Sequence, residues 1–254
     1  MQILRNKIKL DKFDNQFSKI LLDSENHFNN LYKACGNKFL KGCGSYLIDG
    51  QNYNYYIDLY DKQKFLFEKI KEKKNLNVLE IGTYMGHSLL IMLLANNKLS
   101  VTCIDIDDTF SKPAVDYLSK AFPNSNLEFI KGNSLDVLKK LKKKYNFFLI
   151  DGTHRNTQVT REFTYCINNL ITNNRVDFVL DDAMHAEPLK NNIFSSFSIK
   201  DSLSIDVPGG NLYFDIEFPK NVFYFFYKKQ IFFIKNLLWY LKKKIFKILK
   251  FQKI

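Results

Sequence analysis

From residue 76 the chain alternates between two hydrophobic periods. Short, nearly continuous apolar runs stand at 77–82 (NVLEIG), 101–106 (VTCIDI), 127–132 (LEFIKG), 146–152 (NFFLIDG) and 176–183 (VDFVLDDA). Between them lie segments with helical spacing: SLLIMLLANN, AVDYLSKAF, SLDVLKKLKKK and TQVTREFTYCINNLI. Runs of this kind predict strands buried on both faces, and five of them in βα alternation predict a parallel, doubly wound, Rossmann-like α/β sheet with right-handed crossovers. Beyond them NLYFDIEF and VFYFFYKK flank Pro219-Lys220-Asn221. That pattern predicts an antiparallel hairpin closing a mostly parallel, seven-stranded sheet.

The flanks differ from this middle. Residues 1–75 are polar and helical in pattern, with an apolar period over 57–72 (IDLYDKQKFLFEKIKE), and 33–56 is a loop rich in Gly, Asn and Tyr. The expected organisation is a helical N-terminal extension or substrate lid at 1–75, an enzyme-like α/β domain at 76–229, and a tail at 230–254. In the tail Ile234, Leu238, Leu241, Ile245 and Leu249 share one helical stripe, while Lys235, Lys243, Lys247 and Lys250 fall on other faces. A basic amphipathic helix, here 231–254, suits an anionic membrane surface. It equally suits packing on the body or on a second subunit of a homodimer. Lysines interrupt it too often for a membrane span.

Composition sharpens this picture at two points. The formal charge is +12, from 38 basic and 26 acidic residues. Nine of the lysines lie in 221–254 with no acid among them, which leaves 12 − 9 = +3 for residues 1–220. The excess therefore belongs to the tail and is no nucleic-acid footprint of the body. The four cysteines, at 35, 43, 103 and 166, lack CxxC spacing, Cys35 and Cys43 have no paired histidines, and no stretch reads as a signal peptide. Free thiols in a cytoplasmic protein, peripheral at the inner membrane surface where the tail binds lipid, are expected.

The chemistry gathers at the C-terminal ends of the strands, where ligands bind in such sheets. The first strand enters Glu80-Ile81-Gly82-Thr83-Tyr84-Met85-Gly86-His87-Ser88, whose glycines allow a tight turn and a close helix start with free amides. This is neither GxGxxG nor a Walker loop. The second strand ends in Asp105-Ile106-Asp107-Asp108, placing an acid where it can take both hydroxyls of a ribose. The fourth ends in Asp151 with His154 three residues on, and the fifth in Asp181-Asp182, followed by His185.

EIGTYMGHS, IDID and KGNSLD together resemble a class I S-adenosylmethionine-dependent methyltransferase, most nearly the metal-dependent O-methyltransferases of the catechol and macrocin or macrolide-sugar types. The resemblance covers about residues 57–190. It implies that Glu80, Gly82, Tyr84, Gly86 and Ser88 line the methionine portion of S-adenosyl-L-methionine, that Asp105 holds its ribose, and that Asn133 and Ser134 meet its adenine. It implies a divalent cation, Mg2+ first, on Asp151, Asp181 and Asp182, whose hard oxygens suit that ion. It also implies that His154 is the general base, standing where relatives have a lysine or a histidine. The bland alternatives are aspartates capping the next helices and a histidine bonded in a first helical turn. Tyr84 stands where many methyltransferases have glycine, and no NPPY-like motif for nucleobase amines is present.

The expected activity is O-methylation of a sugar hydroxyl, in a nucleotide-activated sugar or a glycan precursor for polysaccharide biosynthesis. A phenol or catechol acceptor is the alternative. A non-catalytic module docked by its tail to membrane or nucleic acid is the alternative from another class, and an RNA substrate lacks recognisable stacking motifs.

Overall fold

In the computed structural model of the chain, residues 16–37, 46–48, 53–55, 60–153, 155–172, 174–181, 187–204, 212–218 and 222–251 are described. Helices α1 (Gln16–Asp23) and α2 (Glu25–Ala34) come first, then a short antiparallel pair, β1 (Tyr46–Ile48) and β2 (Tyr53–Tyr55), and α3 (Tyr60–Lys71). The alternating part follows as β3 (Asn77–Ile81), α4 (His87–Ala95), β4 (Ser100–Asp105), α5 (Asp108–Ala121), β5 (Asn126–Lys131), α6 (Ser134–Leu138), β6 (Phe147–Ile150), α7 (Asn156–Asn169) and β7 (Arg175–Leu180). The chain ends with α8 (Glu187–Phe194), β8 (Ser198–Ser204), β9 (Leu212–Glu217) and α9 (Val222–Phe251).

The main sheet has seven strands in the order β5-β4-β3-β6-β7-β9-β8. Its first five are parallel, and β9 runs antiparallel to both β7 and β8. The order reverses between β3 and β6, which sets the crevice between their C-terminal ends. Alternate residues feed two cores. Val78, Phe147, Leu149 and Val179 face α1 to α5, and Leu79, Ile81, Phe148, Ile150, Phe178 and Leu180 face α6 to α9.

One expectation is corrected. The closing hairpin is β8–β9, so NLYFDIEF is a strand but its partner is SIKDSLS rather than VFYFFYKK, which opens α9; the supposed turn at 219–221 lies outside the described residues. β8 is a mostly polar edge strand with an irregular register at Ile199 and Asp201, so the apolar signal of a buried strand is missing. The aromatic run 222–227 favours strand locally, but the helical period continues through it and Phe232 seats that helix in the core. The helix runs unbroken across residue 230. In the N-terminal segment Phe17, Leu21, Phe28 and Leu31 are buried in the first core, where α1 and α2 pack. Most of the loop expected at 33–56 lies outside the described residues.

The far edge of the sheet, at the N-terminal ends of the parallel strands, carries an ionic cluster. Asp177 and Asp215 are cross-strand neighbours and both are buried. Arg175 neutralises Asp215 through Nε (2.8 Å to Oδ1), Lys73 pairs with Asp177, and the buried Tyr213 hydroxyl donates to Asp177 Oδ1 at 2.6 Å. Such partners are what permits two facing carboxylates on neighbouring strands.

Candidate active site

The turn after β3 is built by contact with its neighbours. Gly82 has φ +89°, and a Cβ there would lie 2.2 Å from the Asp151 carbonyl oxygen, so only glycine lets the β3 and β6 ends pass this closely. Tyr84 also has a positive φ, 47°, and its amide donates to Asp105 Oδ2 at 2.7 Å. The other Asp105 oxygen accepts from the Asp107 amide at 3.0 Å. Asp105 thus ties the first turn to the end of β4, and each oxygen keeps further acceptor capacity for a hydroxyl.

Glu80 is fully buried beneath this turn. Thr83 Oγ1 donates to its Oε2 at 2.9 Å, while Oε1 has no partner among the described residues. Burial raises the carboxyl to about 7, against the pull of Thr83 and Cys103 and with a contribution from Asp105. Gly86, with φ +73°, leads into α4. His87 is buried against Phe28, rings near parallel at 6.3 Å, and burial lowers it to about 4. Ser88 follows in the first turn, partly exposed, beside the free amides of the helix start.

At the end of β5, Asn133 caps α6 by accepting from the Leu135 amide at 3.1 Å. Ser134 donates to Glu162, and Gln158 Nε2 reaches both Ser134 Oγ at 3.1 Å and Glu162 Oε1 at 2.9 Å. Glu162 is buried, and burial raises its carboxyl above the ordinary range. Gln158 and Glu162 were not expected from the sequence. Their only signal is an i, i+4 polar pair on the inner side of an amphipathic helix.

Asp151 and Asp181 are brought together as anticipated. β6 and β7 pair through Ile150 and Leu180, and the Asp181 amide donates to the Ile150 carbonyl at 2.9 Å, so the next residue of each strand lies beside the other. Asp151 keeps a partly open surface, yet protein encloses it on its other sides. Burial drives its carboxyl well above the carboxylate range, helped by the charge and hydrogen bond of Asp181 and by Glu80. Lys62 on α3 opposes that rise and forms an ion pair with the buried Asp181. Lys62 is the functional candidate the sequence reading missed, since nothing local separates it from the other lysines of 57–72.

His154, Asp182 and His185 lie outside the described residues, and among the described residues no group of three His, Cys, Asp or Glu side chains gathers as a metal site. The chemistry of the two described acids fits a divalent cation: two hard oxygen donors meet at one point, Asp181 buried and Asp151 partly open, with one ammonium as present counter-charge. The orphaned Glu80 oxygen, the glycine turn and the Asp105 carboxylate fit the amino acid and ribose portions of S-adenosylmethionine. His27 stands apart, with Nδ1 3.0 Å from the Tyr117 hydroxyl, joining α2 to α5. Cys35, Cys103 and Cys166 are buried, and Cys43 lies outside the described residues.

A family model for a methyltransferase domain matches residues 79–183. Tapetum-specific methyltransferase 1 of Arabidopsis thaliana is 29% identical over 101 residues, which are 38% of this chain and 43% of that protein. The chain thus aligns with less than half the length of that curated relative. Among solved structures, cofactor-bound Rv0187 from MTB superposes with a TM-score of 0.57 at 16% identity, covering 80% of this chain and 96% of the other. The O-methyltransferase from Bacillus cereus in complex with SAH gives 0.52 at 14%, covering 74% and 89%. The O-methyltransferase TomG from Streptomyces achromogenes, in complex with SAM, gives 0.51 at 15%, covering 63% and 80%. At such identities the likeness is one of fold. The match to that methyltransferase-domain model covers the β3-to-β7 part of the sheet, including the glycine turn at the switch point.

Proposed function

We propose that this chain is an S-adenosylmethionine-dependent O-methyltransferase acting on a sugar hydroxyl, in a nucleotide-activated sugar or a glycan precursor, with a divalent cation at Asp151 and Asp181. The observation that carries this reading is the meeting of those two acids directly beside the Gly82 turn. When bound, the cofactor would supply the methyl group, and the cation would hold the acceptor oxygen and favour its ionised form. Glu80 would orient the cofactor's ammonium through its unpartnered oxygen, Ser88 and the α4 amides would hold its carboxylate, and Asp105 its ribose. Asn133 and Ser134 would border the adenine. Asp182 would complete the cation's ligands, and His154 would take the acceptor's proton. Most of the rate gain would come from alignment and from charge already in place.

The test is product mass spectrometry after incubating the full chain, S-adenosylmethionine and Mg2+ with a panel of nucleotide sugars and catechols. A one-methyl mass gain on a sugar supports the reading, and a gain only on catechols moves the substrate to the phenol class. Absence of cofactor binding by calorimetry refutes the enzyme reading altogether.

A further inference from the structure

Helix α9 is anchored to the domain by one face and leaves another bare. Phe232 is buried between Phe163 of α7 (5.5 Å between ring centroids) and Phe197 (5.0 Å). Asn192 of α8 donates to Asn236 Oδ1 at 2.7 Å, and Lys235 Nζ donates to Ser195 Oγ at 2.7 Å. Ile234, Leu237, Leu238, Leu241 and Ile245 are instead 45–59% exposed. At 100° per residue these five fall within an arc of about 100°, centred about 170° from Phe232. The stripe therefore points away from the body on which the helix sits. Exposed Lys242 and Lys244 border it on its two sides, and Lys243 lies 5.1 Å from the Trp239 ring centroid.

We propose that this outward face of α9 docks the protein on an anionic lipid surface. The face is apolar along its centre and cationic along its margins, and residues 221–254 contain nine lysines and no acid. A matching surface must be apolar and anionic together. A second copy laid on the same face would bring two acid-free lysine rows together, and like charges oppose that contact. Nucleic acid would neutralise the lysines but give the five aliphatic side chains no partner. The interface of an anionic bilayer needs one face only, with aliphatic residues below the headgroups and lysines among them. No helix of the described residues is long and apolar enough to cross a membrane, which leaves α9 lying along the surface.

The test uses the full chain and vesicles of phosphatidylcholine alone or mixed with phosphatidylglycerol. The expected result is co-sedimentation with the mixed vesicles, at least tenfold weaker with phosphatidylcholine alone and weakened by salt. Leu238→Glu with Ile245→Glu, both at exposed positions, should abolish binding while leaving circular dichroism and the melting temperature unchanged. Lys242→Gln with Lys244→Gln should weaken it roughly tenfold. Equal binding to both vesicle types, no binding at low salt, or a dimer in ultracentrifugation that Leu238→Glu dissociates would each overturn the proposal. The last outcome would assign the face to a second copy. Because no step depends on methyl transfer, the result stands whether or not the enzymatic reading holds.

Discussion

The ammonium of Lys62, on α3, is paired with the buried carboxylate of Asp181 at the end of β7. This contact brings an element from before the α/β alternation into the candidate site, and it gives Asp181 a counter-charge of its own. A divalent cation binding there would compete with the lysine for the same oxygens. Lys62→Met is therefore expected to lower the Mg2+ concentration giving half-maximal methyl transfer by about fivefold, equivalent to roughly 1 kcal/mol for a half-enclosed ion pair. A Mg2+ titration of initial rates checks this. Loss of activity at every Mg2+ concentration would instead make the lysine the cation that the acceptor requires.

Asp151 and His154 have separate proposed roles, so their substitutions should fail differently. Asp151→Asn replaces a charged ligand with a neutral, poorer one, and its activity should recover in part at high Mg2+. His154→Ala should keep cofactor and cation binding but lower turnover by roughly 10²–10⁴, the range for loss of a general base. Its remaining activity should rise with pH, as a more ionised acceptor no longer needs the imidazole. Near-normal turnover of His154→Ala at neutral pH would leave His154 a structural residue.

The parallel sheet was legible because its four central strands, β4, β3, β6 and β7, are buried along most of their length and print nearly continuous apolar runs, while the edge strand β5 alternates between half-buried and exposed positions; each run ends at the residue that carries chemistry. Asp151 and Asp181 could be placed together from strand order alone, since adjacent parallel strands end side by side. What escaped was set by tertiary contact. β8 is an edge strand with little to bury, and the aromatic start of α9 carries a strand preference that the helix overrides by seating Phe232. Lys62 and Glu162 act across 119 and 28 residues of sequence to Asp181 and Ser134, and no local spacing announces either. The glycine turn was legible as a turn. The reason Gly82 must be glycine, the passing carbonyl of Asp151, belongs to another strand.

At the opposite edge of the sheet, Tyr213→Phe deletes the hydroxyl that donates to the buried Asp177. Lys73 would remain as that carboxylate's partner, so the loss is one charge-assisted bond and about 1–3 kcal/mol is expected. Urea unfolding should show a lower midpoint with an unchanged slope. Calorimetric affinity for S-adenosylmethionine should be unaltered, because the cluster lies at the strand ends away from the cofactor turn. A weakened affinity would show that the two edges are coupled.

The final expectation concerns pH and sets two buried groups on either side of the Gly82 turn, Glu80 in β3 and His87 in α4, against each other. Burial holds His87 at about 4, below its ordinary 6.5, and holds Glu80 at about 7, above its ordinary 4.5. As pH falls from 6.5 to 4, the unfolded chain binds a proton at residue 87 that the folded chain refuses, so stability is lost. As pH falls from 7 to 4.5, the folded chain protonates Glu80 before the unfolded chain does, so stability is gained. Each effect is worth up to roughly 3 kcal/mol, and over the shared window they oppose one another. Replacing either group should expose the other. Between about pH 7.5 and about pH 5, His87→Phe should gain stability relative to the wild type, while Glu80→Gln should lose it. Urea unfolding of the three proteins at both pH values measures this directly; groups that do not interact with residues 80 or 87 drop out of the differences, whereas Asp151, which Glu80 helps to raise, does not. Parallel pH dependence in all three would mean that neither side chain is held in its neutral form by the fold.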